Sequence, residues 1–210
     1  EKVLELSKPE DVIYEAIGHC YDRLKNFAQA RLHYRKASHL NPGDSKLFYK
    51  IACTYFNEGQ YENSIKQVEN ALRMHKLQPE YNLLMGNCKN QLGQFKEAVQ
   101  YYSNVVRMRP KNVAGWEALI KCLYAAGYLD EALSQVKAAY HITNQKPVFV
   151  FYHSAILFAA GKSKEALLML EKAMHESPKL LKKFIELNPS ILQNQQVVDL
   201  AARYKRNKSI

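Results

Sequence analysis

The sequence predicts an all-α protein built as an array of helix–turn–helix repeats. Three observations carry that prediction. Equivalent residues recur every 34 places from residue 11 to residue 180, with no insertion or deletion. Apolar residues inside each unit follow helical spacing, as in Tyr14, Ile17 and Tyr21 and then Tyr34, Ala37 and Leu40. Glycine and proline fall at fixed places, where they separate one helix from the next. A fixed period of this length means a solenoid, in which each helix pair buries its apolar face only by stacking on its neighbours.

The repeats begin at Asp11, Ser45, Pro79, Val113 and Pro147, giving units 11–44, 45–78, 79–112, 113–146 and 147–180. The first helix of each carries a small residue at its eighth place: Gly18, Ala52, Gly86 and Ser154, with Ile120 as the exception. Glycine stands at the fifteenth place in four repeats (Gly59, Gly93, Gly127, Gly161) and ends the first helix, because it enters the left-handed region at little cost. The second helix carries Ala30, Ser64, Ala98, Ala132 or Ala166 at the twentieth place and Ala37, Ala71, Val105, Ala139 or Ala173 at the twenty-seventh. Small side chains at the eighth and twentieth places let two helices approach closely, where bulk would hold them apart. Pro42, Pro110 and Pro178 stop second helices near the end of three repeats.

Both ends depart from the period. Residues 1–10 fit the last ten places of a preceding repeat, with Val3 and Leu6 at its apolar positions, so an upstream repeat is expected. Residues 181–210 read as a degenerate sixth repeat, a capping helix and a basic tail. Phe184 and Leu187 stand where a sixth first helix would put its core, and Asn188-Pro189 then interrupts it. Ser190 is the expected cap of a helix over 190–206, whose apolar side includes Ile191, Val197, Leu200 and Tyr204. That helix shields the last repeat of the array.

Composition adds bounds. The net charge is +10, but residues 179–210 hold seven basic residues against Glu186 and Asp199, so half of the excess sits at one end. No apolar run approaches the roughly 20 residues that span a bilayer. Cys20, Cys88 and Cys122 share the tenth place and read as small buried hydrophobes. The four cysteines form no CxxC or zinc spacing; they leave the compartment undetermined and favour a reducing one such as the cytoplasm. His19 and Cys53 share the ninth place in adjacent repeats, but neighbouring helices lie about 8–10 Å apart, too far for a nucleophile–base bond. His33, His39, His75, His141 and His175 read as surface residues. With no P-loop, GxGxxG or HExxH, no catalytic, metal or cofactor site is expected.

The set of places resembles the tetratricopeptide repeat family: Tyr14, Ile17, Gly18, Tyr21, Ala30, Tyr34 and Pro42 in repeat one, then Gly86, Gly93, Phe95, Ala98, Tyr102 and Pro110 in repeat three. Trp116 and Leu119 add to it in repeat four. The resemblance covers residues 11–180. It implies a right-handed superhelical solenoid of antiparallel helix pairs, with first helices lining a concave face. On that face repeats one to three place polar groups, including Lys46, Lys50 and Asn87, interrupted by Tyr49 and Phe56. Repeats four and five place Tyr124, Phe151, Tyr152 and Phe158 there. The expected function is a scaffold that binds a peptide segment or helix of a partner protein on this face. The aromatic cluster is either that contact or a surface hidden by the capping helix or by the curl of the array.

Some family members bind a chaperone carboxylate through a clamp of Lys, Asn and Arg. Here the fifth and ninth places of repeats one to three hold Glu15 and His19, Tyr49 and Cys53, Leu83 and Asn87, so that clamp is not expected. Nucleic-acid binding is the alternative from another class. It needs a continuous basic stripe, which Glu15, Asp22 and Glu117 interrupt. A third reading makes the chain a regulatory or localising segment of a larger enzyme-containing protein. Open solenoid ends also offer self-association.

Overall fold

The computed structural model describes residues 10–206, with side chains described to Tyr204; the expectations placed on residues 1–9 and on the extreme C-terminal residues lie outside that range. All regular structure in the described residues is helical. The chain forms two compact units, Glu1–Met108 and Arg109–Ile210. The first holds α1 (Glu10–Arg23), α2 (Phe27–Leu40), α3 (Ser45–Asn57), α4 (Tyr61–Met74), α5 (Pro79–Gln91) and α6 (Phe95–Met108). The second holds α7 (Val113–Ala125), α8 (Leu129–Ile142), α9 (Pro147–Ala159), α10 (Ser163–Glu176), α11 (Leu181–Leu187) and α12 (Gln195–Arg206). The paired helices of each repeat pack against each other, and α2 packs on α3, α4 on α5 and α8 on α9. This is a helix-pair repeat solenoid with no sheet among the described residues.

Helix starts are marked chemically. The side chains of Asp44 and Asn112 accept backbone N–H bonds from Lys46 and Gly115 at the heads of α3 and α7. The first helices of repeats three and five lack a side-chain cap and begin instead with Pro79 and Pro147, whose missing N–H would have been unsatisfied anyway. The turn between helices requires a left-handed residue. Gly59, Gly93, Gly127 and Gly161 have φ of 72–78°, and in repeat one Lys25 takes the same place with φ 58°.

The eighth and twentieth places work as predicted from size. Ala30, Ser64, Ala98, Ala132 and Ala166 are all fully buried. The helices lie so close that hydroxyls cross between them. Ser64 Oγ donates to the Ala52 carbonyl in repeat two, and Ser154 Oγ donates to the Ala166 carbonyl in repeat five. A Cβ on Gly18 or Gly86 would stand 2.7 Å from the ring of Tyr34 or Tyr102. Glycine is therefore paired with tyrosine at the twenty-fourth place. The exception, Ile120, occurs in a repeat whose twenty-fourth residue is the smaller Val136, and both are buried.

Three sequence expectations are corrected here. Ser190 does not cap the last helix: its hydroxyl bonds Asn188 Oδ1, and Asn194 accepts from the Gln196 N–H to cap α12. Cys20 is exposed, unlike Cys88 and Cys122. Cys88 Sγ lies 3.3 Å from Ser64 Oγ of the repeat before it, and Cys20 has no such neighbour among the described residues. His33 is no ordinary surface residue, since it stacks on Tyr21 at 5.4 Å and its Nδ1 is buried without a partner among the described residues.

Candidate peptide-binding site

The first helices of α1–α6 present a mixed polar and aromatic face. On α3, residues 49, 53 and 56 stand one helical turn apart and form a stripe. Tyr49, Cys53 and Phe56 are half-buried against the core made by Val68, Ala71, Tyr81 and Met85. Tyr49 packs on Tyr81 at 5.1 Å and Phe56 on Tyr61 at 5.5 Å. Beside the stripe, Lys46 is exposed, with no carboxylate partner among the described residues. Lys50 is committed: it pairs with Glu15 and lies over the Tyr34 ring. On α5, Asn87 accepts a 2.8 Å bond from the Tyr102 hydroxyl, and Asn90 Oδ1 is buried with no partner among the described residues.

Cys53 is not poised for nucleophilic chemistry. Burial pushes its thiol up to about 11, only partly offset by a hydrogen bond with Tyr49, so it is protonated at neutral pH. His19, its considered partner, is exposed. Among the described residues no group of three or more His, Cys, Asp or Glu is placed to hold a metal ion. No helix among them is long and apolar enough to cross a membrane.

In the second unit the expected aromatic surface is not a surface. Phe151 and Tyr152 are both 0% exposed. Such burial contributes about 1.5–3 kcal/mol per large apolar side chain relative to exposure. The C-terminal element packed on α9 is α11, not the helix over 190–206. Phe184 of α11 is itself fully buried and meets Phe158 edge-on, with ring centroids 6.1 Å apart. Around this apolar contact, Lys183 pairs with Glu117 at 3.4 Å and Lys121 with Glu186 at 4.0 Å. These partly exposed pairs orient α11 more than they stabilise it, at about 0.2–1 kcal/mol each. α12 packs on α10 instead. Tyr124 and Phe158 remain half-buried and line a cavity of about 440 Å³ with Asn188, Ile191 and Asn194. The structure thus brings Tyr124 and Phe158 to an open edge and withdraws Phe151 and Tyr152.

A cavity that first-helix places do not reveal lies between α4, α5 and α6. It measures about 850 Å³ and is lined by Leu72, Met85, Tyr101 and Met108, with Arg73 and Arg107 among its cations. Its residues come mainly from second helices, so a reading confined to the inner face passes over them.

Comparison with known proteins agrees with this architecture. Tetratricopeptide repeat family models match residues 12–44, 49–103 and 90–146, together more than half of the chain. Mouse "Tetratricopeptide repeat protein 21A" is 23% identical over 164 residues, which is 77% of this chain and 12% of that protein. The chain therefore spans about an eighth of that relative's length. Among solved structures, "MamA 41-end from Desulfovibrio magneticus RS-1" matches with a TM-score of 0.71 at 14% identity, over 80% of this chain and 95% of that one. The structure described as "YrrB: a TPR protein with an unusual peptide-binding site" matches with a TM-score of 0.64 at 21% identity, over 98% of this chain and 96% of that one. The fold and its inner faces define a helical-repeat scaffold of the protein–protein interaction type. The chain belongs to the tetratricopeptide repeat family.

Proposed function

We propose that the chain holds a peptide segment or helix of another protein against its first-helix faces, with the face of α1, α3 and α5 as the open working surface. One observation carries this reading. The α3 stripe sets half-buried Tyr49 and Phe56 beside an exposed Lys46 that has no carboxylate partner among the described residues, while Phe151 and Tyr152 on α9 are already covered. Aromatic anchors that need no large rearrangement, with a cation to orient the partner, are what peptide grooves use. A solved relative of the same fold is described by its own peptide-binding site, which agrees with this use.

A nucleic-acid reading draws less support. Lys50, Lys89, Lys121 and Lys183 each pair with a carboxylate and do not form an open basic stripe.

The test is fluorescence anisotropy with partner peptides selected on a peptide array. Phe56→Ala is expected to weaken binding by about tenfold or more, roughly 1.4 kcal/mol. Lys46→Glu is expected to slow association and abolish its salt dependence. Unchanged affinity in both variants, with helix content preserved, refutes the assignment.

A further inference from the structure

Helix α11 does not sit where a sixth repeat would put it. At regular junctions the second helix of one repeat packs along the first helix of the next, as α8 does with α9. α10 and α11 make no comparable packing. α11 instead lies on α9 and reaches across to α7 through Lys183 and Glu117. α12 takes the side of α10, tied by the Tyr204 hydroxyl to the Glu171 carbonyl at 3.5 Å. α11 is thus a segment laid into the first-helix face, not one more layer of the stack.

We propose that repeats four and five form a groove for a short helix carrying a basic residue, an aromatic, and then an acidic residue and leucine, and that α11 is its resident occupant. A partner segment of the same chemistry binds by displacing it. This rests on the reading that first-helix faces are the binding faces of the chain, and it names the partner and the regulation for the second unit.

The resident spells the pattern out as Lys183-Phe184-Ile185-Glu186-Leu187. Phe184 and Leu187, three apart, share one side and are both buried. Lys183 and Glu186 meet Glu117 and Lys121, the opposite charges that α7 offers one turn apart. The occupant is made to leave. Its helix has seven residues, too few to persist alone, and 3-10 turns opened by Pro178 and Pro189 flank it. It also fits imperfectly. The Tyr152 hydroxyl is fully buried without a hydrogen bond of standard geometry, although Glu117 lies near enough to act on its phenol. Beside α11, Tyr124 and Phe158 line the open 440 Å³ cavity together with Asn188 and Ile191. A longer partner helix has that cavity to gain.

The experiment uses the full chain and, as probe, a fluorescent peptide copying residues 179–190. Wild type is expected to bind it weakly, because α11 reduces the fraction of groove that is open. Lys183→Glu breaks the pair with Glu117 and sets like charge against it, loosens α11 and is expected to tighten probe binding several-fold. A probe with alanine in place of Phe184 is expected not to bind. A folded Lys183→Glu protein that binds the probe no better than wild type overturns the proposal. Hydrogen exchange on wild type gives a second test that needs no variant. The α11 amides are expected to exchange about 100-fold faster than those of α9, and equal protection of the two overturns the proposal as well. Loss of partner binding through Lys46 and Phe56 concerns the first unit, so the two readings fail separately.

Discussion

At the scale of single residues, the closest fit is between the eighth and twenty-fourth places. Gly86 leaves 2.7 Å between a would-be Cβ and the Tyr102 ring, and that ring is held by its hydroxyl bond to Asn87. Gly86→Ala gains roughly 1 kcal/mol of helix propensity. It also forces a buried ring out of its rotamer, at a cost of about 1–3 kcal/mol. The expected outcome in urea denaturation is net destabilisation by about 1 kcal/mol, largely relieved when Tyr102→Val is added. Additive losses would show that the two places do not share one packing volume. The need for a small residue at the eighth place was legible in the sequence. Its tyrosine partner was not, because side-chain contact between helices depends on their rotation as well as on spacing.

At the scale of elements, one turn geometry serves every repeat. The fifteenth residue must be left-handed, and four repeats meet this with glycine while the first uses Lys25 at φ 58°. An L-residue there costs about 1–2 kcal/mol, which glycine avoids. Lys25→Gly is therefore expected to stabilise the first helix pair by about 1 kcal/mol, seen as a higher melting temperature or slower amide exchange in α1. A drop in stability would mean that the lysine side chain contributes more than its backbone costs. Helix identity was readable from periodicity, turns and caps. The path of the segment after Pro178 was not: Phe184 and Leu187 have the spacing of a sixth first helix, and they bury themselves in a different place.

At the scale of the whole molecule, acid stability follows from two histidines. His33 and His153 are both held below their ordinary value of 6.5, mainly by burial. Lys36 adds to the effect at His33; at His153 Lys137 adds to it and Glu165 opposes it. The unfolded chain therefore takes up protons before the folded one does. The stability due to the neutral rings is complete above pH 6.5 and is lost as pH falls from there through the folded-state values. Melting temperature is expected to drop as pH falls below about 6.5, and less so in a His33→Gln, His153→Gln double variant. An equal drop in both proteins would place the acid sensitivity elsewhere. Neither histidine was distinguished by sequence, since burial of one residue in a repeat depends on the particular neighbours stacked on it.

The sequence by itself determined the helix pairs, the turns and the small residues that bring each pair together. All of these are local or recur at a fixed period, so 34-residue spacing encodes them repeatedly. It also placed Lys46, Tyr49 and Phe56 on one side of one helix. Only the tertiary structure decided that α11 lies on the α9 face. That choice lies between α11 on α10 and α11 on α9, and it turns on a fully buried Phe184 and on ion pairs such as Lys183–Glu117, 66 residues apart in the chain. Neither contact follows the period, so no repeat announces them.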